Sequence, residues 1–149
     1  MRSLLLITTL FVSTFGCTQN TNTKHFSEFN TDKKNLALEG YDPVAYFTQG
    51  EATAGKAAVS TTYQGVVFWF DNPQNKALFD EHPQNYIPQS GGWCAYAMGN
   101  DRSKVSINPK SFLVDNGKLY LFYKTRFVDT KTKWKKNIDT LEKSATAYW

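Results

Sequence analysis

Residues 112–123 read FLVDNGKLYLFY, and the Asn116-Gly117 pair between two apolar runs constrains the fold more than any other feature. A type I′ turn needs positive φ at both central positions, which Asn and Gly supply at low cost, so this stretch predicts a tight antiparallel hairpin. STTYQGVVFWF, residues 60–70, predicts a second one turning near Gln64-Gly65, with its near-continuous apolar second half as a central strand. Asp71 or Asn72 followed by Pro73 is an Asx cap with proline at the first helical position. DNPQNKALFDEH therefore begins a helix, with Leu78 and Phe79 expected toward the core. Leu36–Phe47 is expected to start extended, because Pro43 disfavours helical backbone at Asp42 while Val44, Tyr46 and Phe47 favour strand. Near the C-terminus Trp134, Ile138, Leu141, Ala145 and Tyr148 recur at steps of four and three, one apolar stripe of a helix. In this reading strands outnumber helices. The expected class is α+β: an antiparallel sheet built from hairpins, with a helix after the central strand and a C-terminal amphipathic helix.

The chain opens MRSLLLITTLFVSTFGCTQN, with Arg2, an apolar run from Leu4 to Val12 and small residues up to Gly16-Cys17. A basic start, a short apolar stretch and a small-residue cleavage site describe a secretory signal, and the run is too short to cross a bilayer. Gly16-Cys17 resembles a lipoprotein box, in which that cysteine is acylated, although Thr14 and Phe15 stand where Leu and a small residue are usual. The expected organisation is a signal peptide over 1–17, a flexible, solvated tether over 18–35 and one domain over 36–149. Four Trp, eight Tyr and eleven Phe point to a core of rings and sheet. The net charge of +4 is too weak to argue for nucleic acid. The densest basic stretch, KTKWKK at Lys131–Lys136, reads as the solvent face of an amphipathic helix, with attraction to anionic lipid headgroups as the alternative.

Few residues offer chemistry. The two histidines are His25 and His82, and no Cys-x-x-Cys, His-x-x-His or Glu-x-x-His spacing exists, which argues against a closed zinc site within the chain. No phosphate loop, nucleophile elbow or dinucleotide fingerprint appears, so nothing marks the chain as an enzyme. If Cys17 is acylated, Cys94 in SGGWCAYA is the one thiol left. It reads as a small buried hydrophobe, a soft metal ligand, a redox thiol or one side of an intermolecular disulfide that would make a linked dimer. As a helix, WCAYAM would put Cys94 near an N-terminus, more nucleophilic, with Met98 on the same face for a shared copper(I) ion. As a strand it would hold the two about 13 Å apart, too far for one ion. The turn-like NDRS before KVSI favours the strand. His82 could reach Cys94 through the Pro-rich loop. Gly91-Gly92 either relieves crowding at a turn or leaves room beside the thiol.

Taken together, GYDPVAYF, YQGVVFWF, NKALFDEHPQNYIPQ, GGWCAYA and GKLYLFY resemble, in that order, exported YHS-domain-containing proteins, from about Leu36 to Trp149. The motif positions are Tyr41, Asp42, Pro43, Gly91, Gly92, Trp93 and Cys94. The resemblance implies a small domain akin to metal-handling modules of copper and other heavy-metal transport. Some relatives are described as selenoproteins. Two departures qualify it: Ala45 stands where the metal-binding kind has cysteine, and DNPQNK follows the aromatic strand without a cysteine pair. The leading expectation is a cell-envelope binding protein, periplasmic or membrane-anchored through Cys17, handling copper or another soft metal through Cys94 with His82 and Met98 as weaker ligands. The alternatives are a thiol redox protein using Cys94, and a non-catalytic structural or interaction lipoprotein with a protein partner.

Overall fold

The computed structural model describes residues 28–149. The expected signal segment, Cys17, His25 and the first part of the expected tether lie outside these residues. Both anticipated hairpins are present. Strands β1 (Lys56–Tyr63) and β2 (Val66–Phe70) pair antiparallel around Gln64-Gly65, and β3 (Asn108–Asp115) and β4 (Lys118–Phe122) around Asn116-Gly117. At both turns the two central residues have positive φ, 49° and 84° in the first, 47° and 71° in the second. Each hairpin is a separate two-stranded sheet, with a register shift early in β1 and in β3. Strand β2 gains a second neighbour outside its sheet. The Val67 amide donates to the Asn35 carbonyl (2.8 Å) and the Ala37 amide to the Val67 carbonyl (2.9 Å), a short parallel bridge that makes β2 central.

Five α-helices stand against four strands among the described residues, so the expected strand majority is reversed while the α+β class holds. Helix α1 (Ala45–Thr48) replaces the expected strand. The Asp42 carboxylate accepts the amides of Val44 (2.8 Å) and Ala45 (3.2 Å), giving the chain a helical start directly after Pro43. Helix α2 (Pro73–Glu81) is capped as expected by Asn72, whose side chain accepts the Asn75 amide at 2.8 Å. Its inward face carries Asn75 and Phe79, whereas Leu78 is exposed. Phe79 sits among Phe68, Phe70 and Tyr63 with ring centroids 4.8, 5.2 and 6.2 Å away. Burying that ring is worth about 2–3 kcal/mol, and it sets the roll of the helix.

WCAYAM is not a strand. Helix α3 (Ala95–Asp101) begins at Cys94 and ends on Arg102 in the left-handed region, and the following Lys104–Ile107 forms no strand. Its Gly99 lies so close to Leu141 that a Cβ would strike the Leu141 carbonyl. The expected long terminal helix is divided into α4 (Lys131–Trp134) and α5 (Ile138–Tyr148) by Lys135–Asn137, with Trp134 buried and Tyr148 half-exposed beneath the Arg102 guanidinium. The apolar stripe thus spans two helices rather than one. Strand β4 organises the interior: Leu119 and Leu121 face a core shared with Phe68, Phe70, Phe79 and Tyr46, while Tyr120 and Phe122 face Trp134 and Leu141. Tyr46 ties the two hairpins together by edge-on contact with Phe112 (4.8 Å) and a hydrogen bond from its hydroxyl to the Pro109 carbonyl (3.0 Å).

The domain also begins earlier than Leu36. Phe29 is buried against Trp149, Asn30 donates through its backbone and side-chain amides to the carbonyls of Gly91 (2.9 Å) and Gly92 (3.0 Å), and Lys104 pairs with Glu28 (2.9 Å). Residues 28–35, polar enough to suggest a solvated tether, are therefore part of the folded body.

Candidate functional site

Cys94 lies where α3, β4 and α4 meet. Its backbone amide donates to the Val105 carbonyl (2.9 Å), its carbonyl accepts the Met98 amide (3.0 Å), and it bridges to Leu121 beside β4. The side chain is 0% exposed. Its sulfur accepts the Tyr123 amide at 3.3 Å and lies 3.4 Å from the Thr130 hydroxyl oxygen. That hydroxyl donates its single proton to the Tyr123 carbonyl at 2.9 Å, which leaves the Cys94 thiol as the donor to Thr130. The result is a closed circuit in which the thiol's donor and acceptor capacities are both used. Tyr123 leaves β4 and Thr130 enters α4, so this circuit closes the neck of the loop between them.

The other expected ligands are not gathered here. Met98 is buried one helical turn along α3 from Cys94. His82 is 65% exposed at the end of α2, with the Glu81 carboxylate 3.7 Å away, and a solvated imidazole does not share an ion with an enclosed sulfur. Among the described residues no group of three or more His, Cys, Asp or Glu side chains is arranged to hold a metal ion.

Gly91 and Gly92 solve a backbone problem. With Ser90 they form three consecutive left-handed residues, φ 52°, 57° and 81°. A Cβ on Gly91 would overlap the six-membered ring of Trp149. The pair therefore serves the turn and the docking of the C-terminal residue, and opens no space beside the sulfur. Trp93 is held from outside by a hydrogen bond from its indole nitrogen to the Glu28 carbonyl (2.7 Å).

The Tyr41-Asp42-Pro43 motif is equally structural. Asp42 is fully buried, and beyond the α1 amides its second oxygen accepts the Asp71 amide (2.9 Å) and the Asn75 side-chain amide (2.7 Å). One carboxylate thereby joins the start of α1, the end of β2 and the first turn of α2. Tyr41 pairs across to Ala54. Sequence reasoning did not find Asn30, Asn75, Tyr123 or Thr130, since partners 29 to 62 positions away leave no local signal.

A second polar cluster borders the glycine turn. Between Ser90, Tyr120, Glu142 and Trp149 is a cavity of about 50 Å³, room for a water or two but not for a substrate. Tyr120 donates to Glu142 at 2.6 Å, and Lys118 approaches the same oxygen at 2.6 Å. Burial, followed by the Glu142 bond, pushes the Tyr120 phenol well above its ordinary value, so it holds its proton. The Lys118 and Tyr120 bonds keep Glu142 below the usual carboxylate range. The cluster is an internally satisfied brace.

Comparison with protein-family models, curated proteins and solved structures yields no match of any of the three kinds. The fold places the chain in the α+β class, and function must be argued from its own groups.

Proposed function

We propose that the chain is a non-catalytic interaction module of the cell envelope, YHS-like in its motif order and tethered to a membrane by an acyl group on Cys17. The observation that carries this reading is the state of Cys94. The thiol is enclosed and engaged as donor and acceptor by Thr130 and Tyr123, which suits a structural bolt and suits neither a soft-metal ligand nor a redox nucleophile. The motif residues Asp42 and Gly91 likewise have structural partners. Export and acylation rest on the signal-like opening and Gly16-Cys17.

Iodoacetamide alkylation followed by peptide mapping tests this reading on the folded chain. The peptide containing Cys94 is expected to stay unmodified until denaturant is added, and copper(I) uptake by the Cys94→Ser variant is expected to equal that of the wild type. Rapid native-state labelling of Cys94, or copper uptake that disappears in the variant, would refute it.

A further inference from the structure

The loop that the Cys94 circuit closes carries the most exposed apolar residue among the large hydrophobics of the described chain. Phe127 is 88% exposed, with Val128 and Tyr123 beside it at 41% and 37%. This exposure is built in. The Thr125 amide donates to the Val128 carbonyl (2.8 Å), and the Thr125 hydroxyl oxygen accepts the amides of Phe127 (3.3 Å) and Val128 (3.2 Å). At the base Lys124 pairs with Asp129 (3.0 Å), and Asp129 also accepts the Ser111 hydroxyl (2.7 Å) and the Lys131 amide (3.1 Å). A loop pinned at so many points could have tucked the ring inward, yet it holds the ring in water.

The charge around it is concentrated. Lys124–Lys136 contains six basic residues and one acid, a net +5, whereas the whole chain is +4, so everything else sums to −1. Lys124 is neutralised by Asp129, but Arg126, Lys131, Lys133, Lys135 and Lys136 form no salt bridge among the described residues. The Arg126 guanidinium lies 5.7 Å from the Phe127 ring centroid, an apolar wedge and a cation on one tip. In and after α4 the indole of Trp134 is buried while Lys133, Lys135 and Lys136 are exposed, and the Lys133 ammonium stands 5.6 Å from the Tyr96 ring centroid.

We propose that the Tyr123–Val128 loop docks on an anionic lipid surface, with Phe127 and Val128 entering the headgroup boundary and the Arg126–Lys136 cations meeting lipid phosphates. An exposed aromatic with Arg126 at its side, followed within ten residues by four more cations that form no salt bridge among the described residues, complements a surface that is apolar beneath and negative on top. The inference rests on the interaction-module reading and names its partner. A membrane also lies within range of the expected anchor: the residues between Cys17 and Glu28 span at most about 35 Å when extended, comparable with the width of a domain this size.

Vesicle sedimentation tests it, using the full chain with Cys17→Ser so that no acyl group contributes. Neutral phosphatidylcholine vesicles give the baseline due to the N-terminal apolar run, which is common to all variants. Vesicles with about 30% phosphatidylglycerol are expected to bind more tightly, with the gain fading as salt is raised. Phe127→Ser, at a site too exposed to affect folding, is expected to weaken that binding about tenfold. Replacing Lys135 and Lys136 by Gln is expected to cost about fivefold per cation. Equal binding to neutral and anionic vesicles, or an unchanged Phe127→Ser variant, would overturn the proposal. So would Phe127→Ser dispersing a dimer on size exclusion, because the loop would then meet protein. A protected Cys94 combined with vesicle indifference would reject the lipid partner alone, whereas a reactive Cys94 would reject the interaction-module reading itself.

Discussion

Asp42 shows how one side chain can decide more than its neighbours in sequence suggest. Its four partners are all N–H groups, so the side chain works purely as an acceptor, inside the protein and away from water. Asp42→Asn keeps the shape but turns one oxygen into a donor facing other donors. A cost of about 2–4 kcal/mol is expected, because a buried group left without its bond loses its full desolvation energy. Asp71→Asn is the control: its partner Lys56 lies in solvent (3.0 Å), where an ion pair contributes little, so this variant should unfold close to the wild type. Urea unfolding of both variants measures the contrast, and a loss below about 1 kcal/mol for Asp42→Asn would contradict the role assigned to it. At this scale the sequence was partly legible. The motif flagged Asp42, but only the fold brings Asn75 to it from 33 positions away.

Among the elements, the two kinds of glycine turn separate backbone strain from packing. Gly117 has φ 71° and nothing within 4 Å of where a Cβ would stand, so Gly117→Ala pays only for the left-handed backbone, about 1–2 kcal/mol. Gly91 has φ 57° and also faces the Trp149 ring, so Gly91→Ala adds overpacking, for a total of about 3 kcal/mol or more. In a Trp149→Ala background most of the extra cost should disappear, leaving only the tighter contact with the Phe29 ring, 3.3 Å from the new Cβ. Thermal midpoints of the four variants read this directly, and full additivity of Gly91→Ala with Trp149→Ala would disprove the contact's importance. The Asn-Gly hairpin was legible because its cause is local. At SGGW the glycine pair signalled a turn, but its close packing was not legible, because the group it packs against is Trp149, 58 positions away.

Over the whole molecule, acid provides the test. Asp71 is held below the ordinary carboxylate value chiefly by Lys56, and Glu142 by Lys118 and then Tyr120. Burial alone would raise Asp80 and Asp129, but Lys76 with Thr61 in one case and Ser111 with Lys124 in the other outweigh it. Groups depressed in the folded state contribute stability above their unfolded values and lose it as pH falls through the folded ones. Asp32, held down by the Leu36 and Lys34 amides, and Asp101, held down by Ser103, join the same set, and Glu39, raised by burial, acts in the opposite direction, one against six. The thermal midpoint should therefore be level from neutrality to about pH 5 and fall below about pH 4. A midpoint that rises on acidification would refute this account. The Asp129 clasp belongs to the same set, so the Phe127 loop should loosen over the same acid range.

What the sequence determined by itself is the part of the structure written in neighbouring residues. Two hairpins, the Asn72–Pro73 helix start and the α+β class all follow from turn chemistry and periodicity within a few positions. What the tertiary structure decided depends on groups distant in the chain. WCAYAM turns helical from Ala95 with the Cys94 amide bonded to Val105 and Gly99 packed on Leu141, and residues 28–35 belong to the body because Gly91, Gly92 and Trp149 meet Asn30 and Phe29 in space. The same holds for Cys94. As a residue type it fitted a core atom first, with a ligand or a nucleophile as alternatives, and only the fold shows it buried against Tyr123 and Thr130. Local conformational preference is encoded along the chain, whereas burial and hydrogen-bond partnership arise only once the chain has closed on itself.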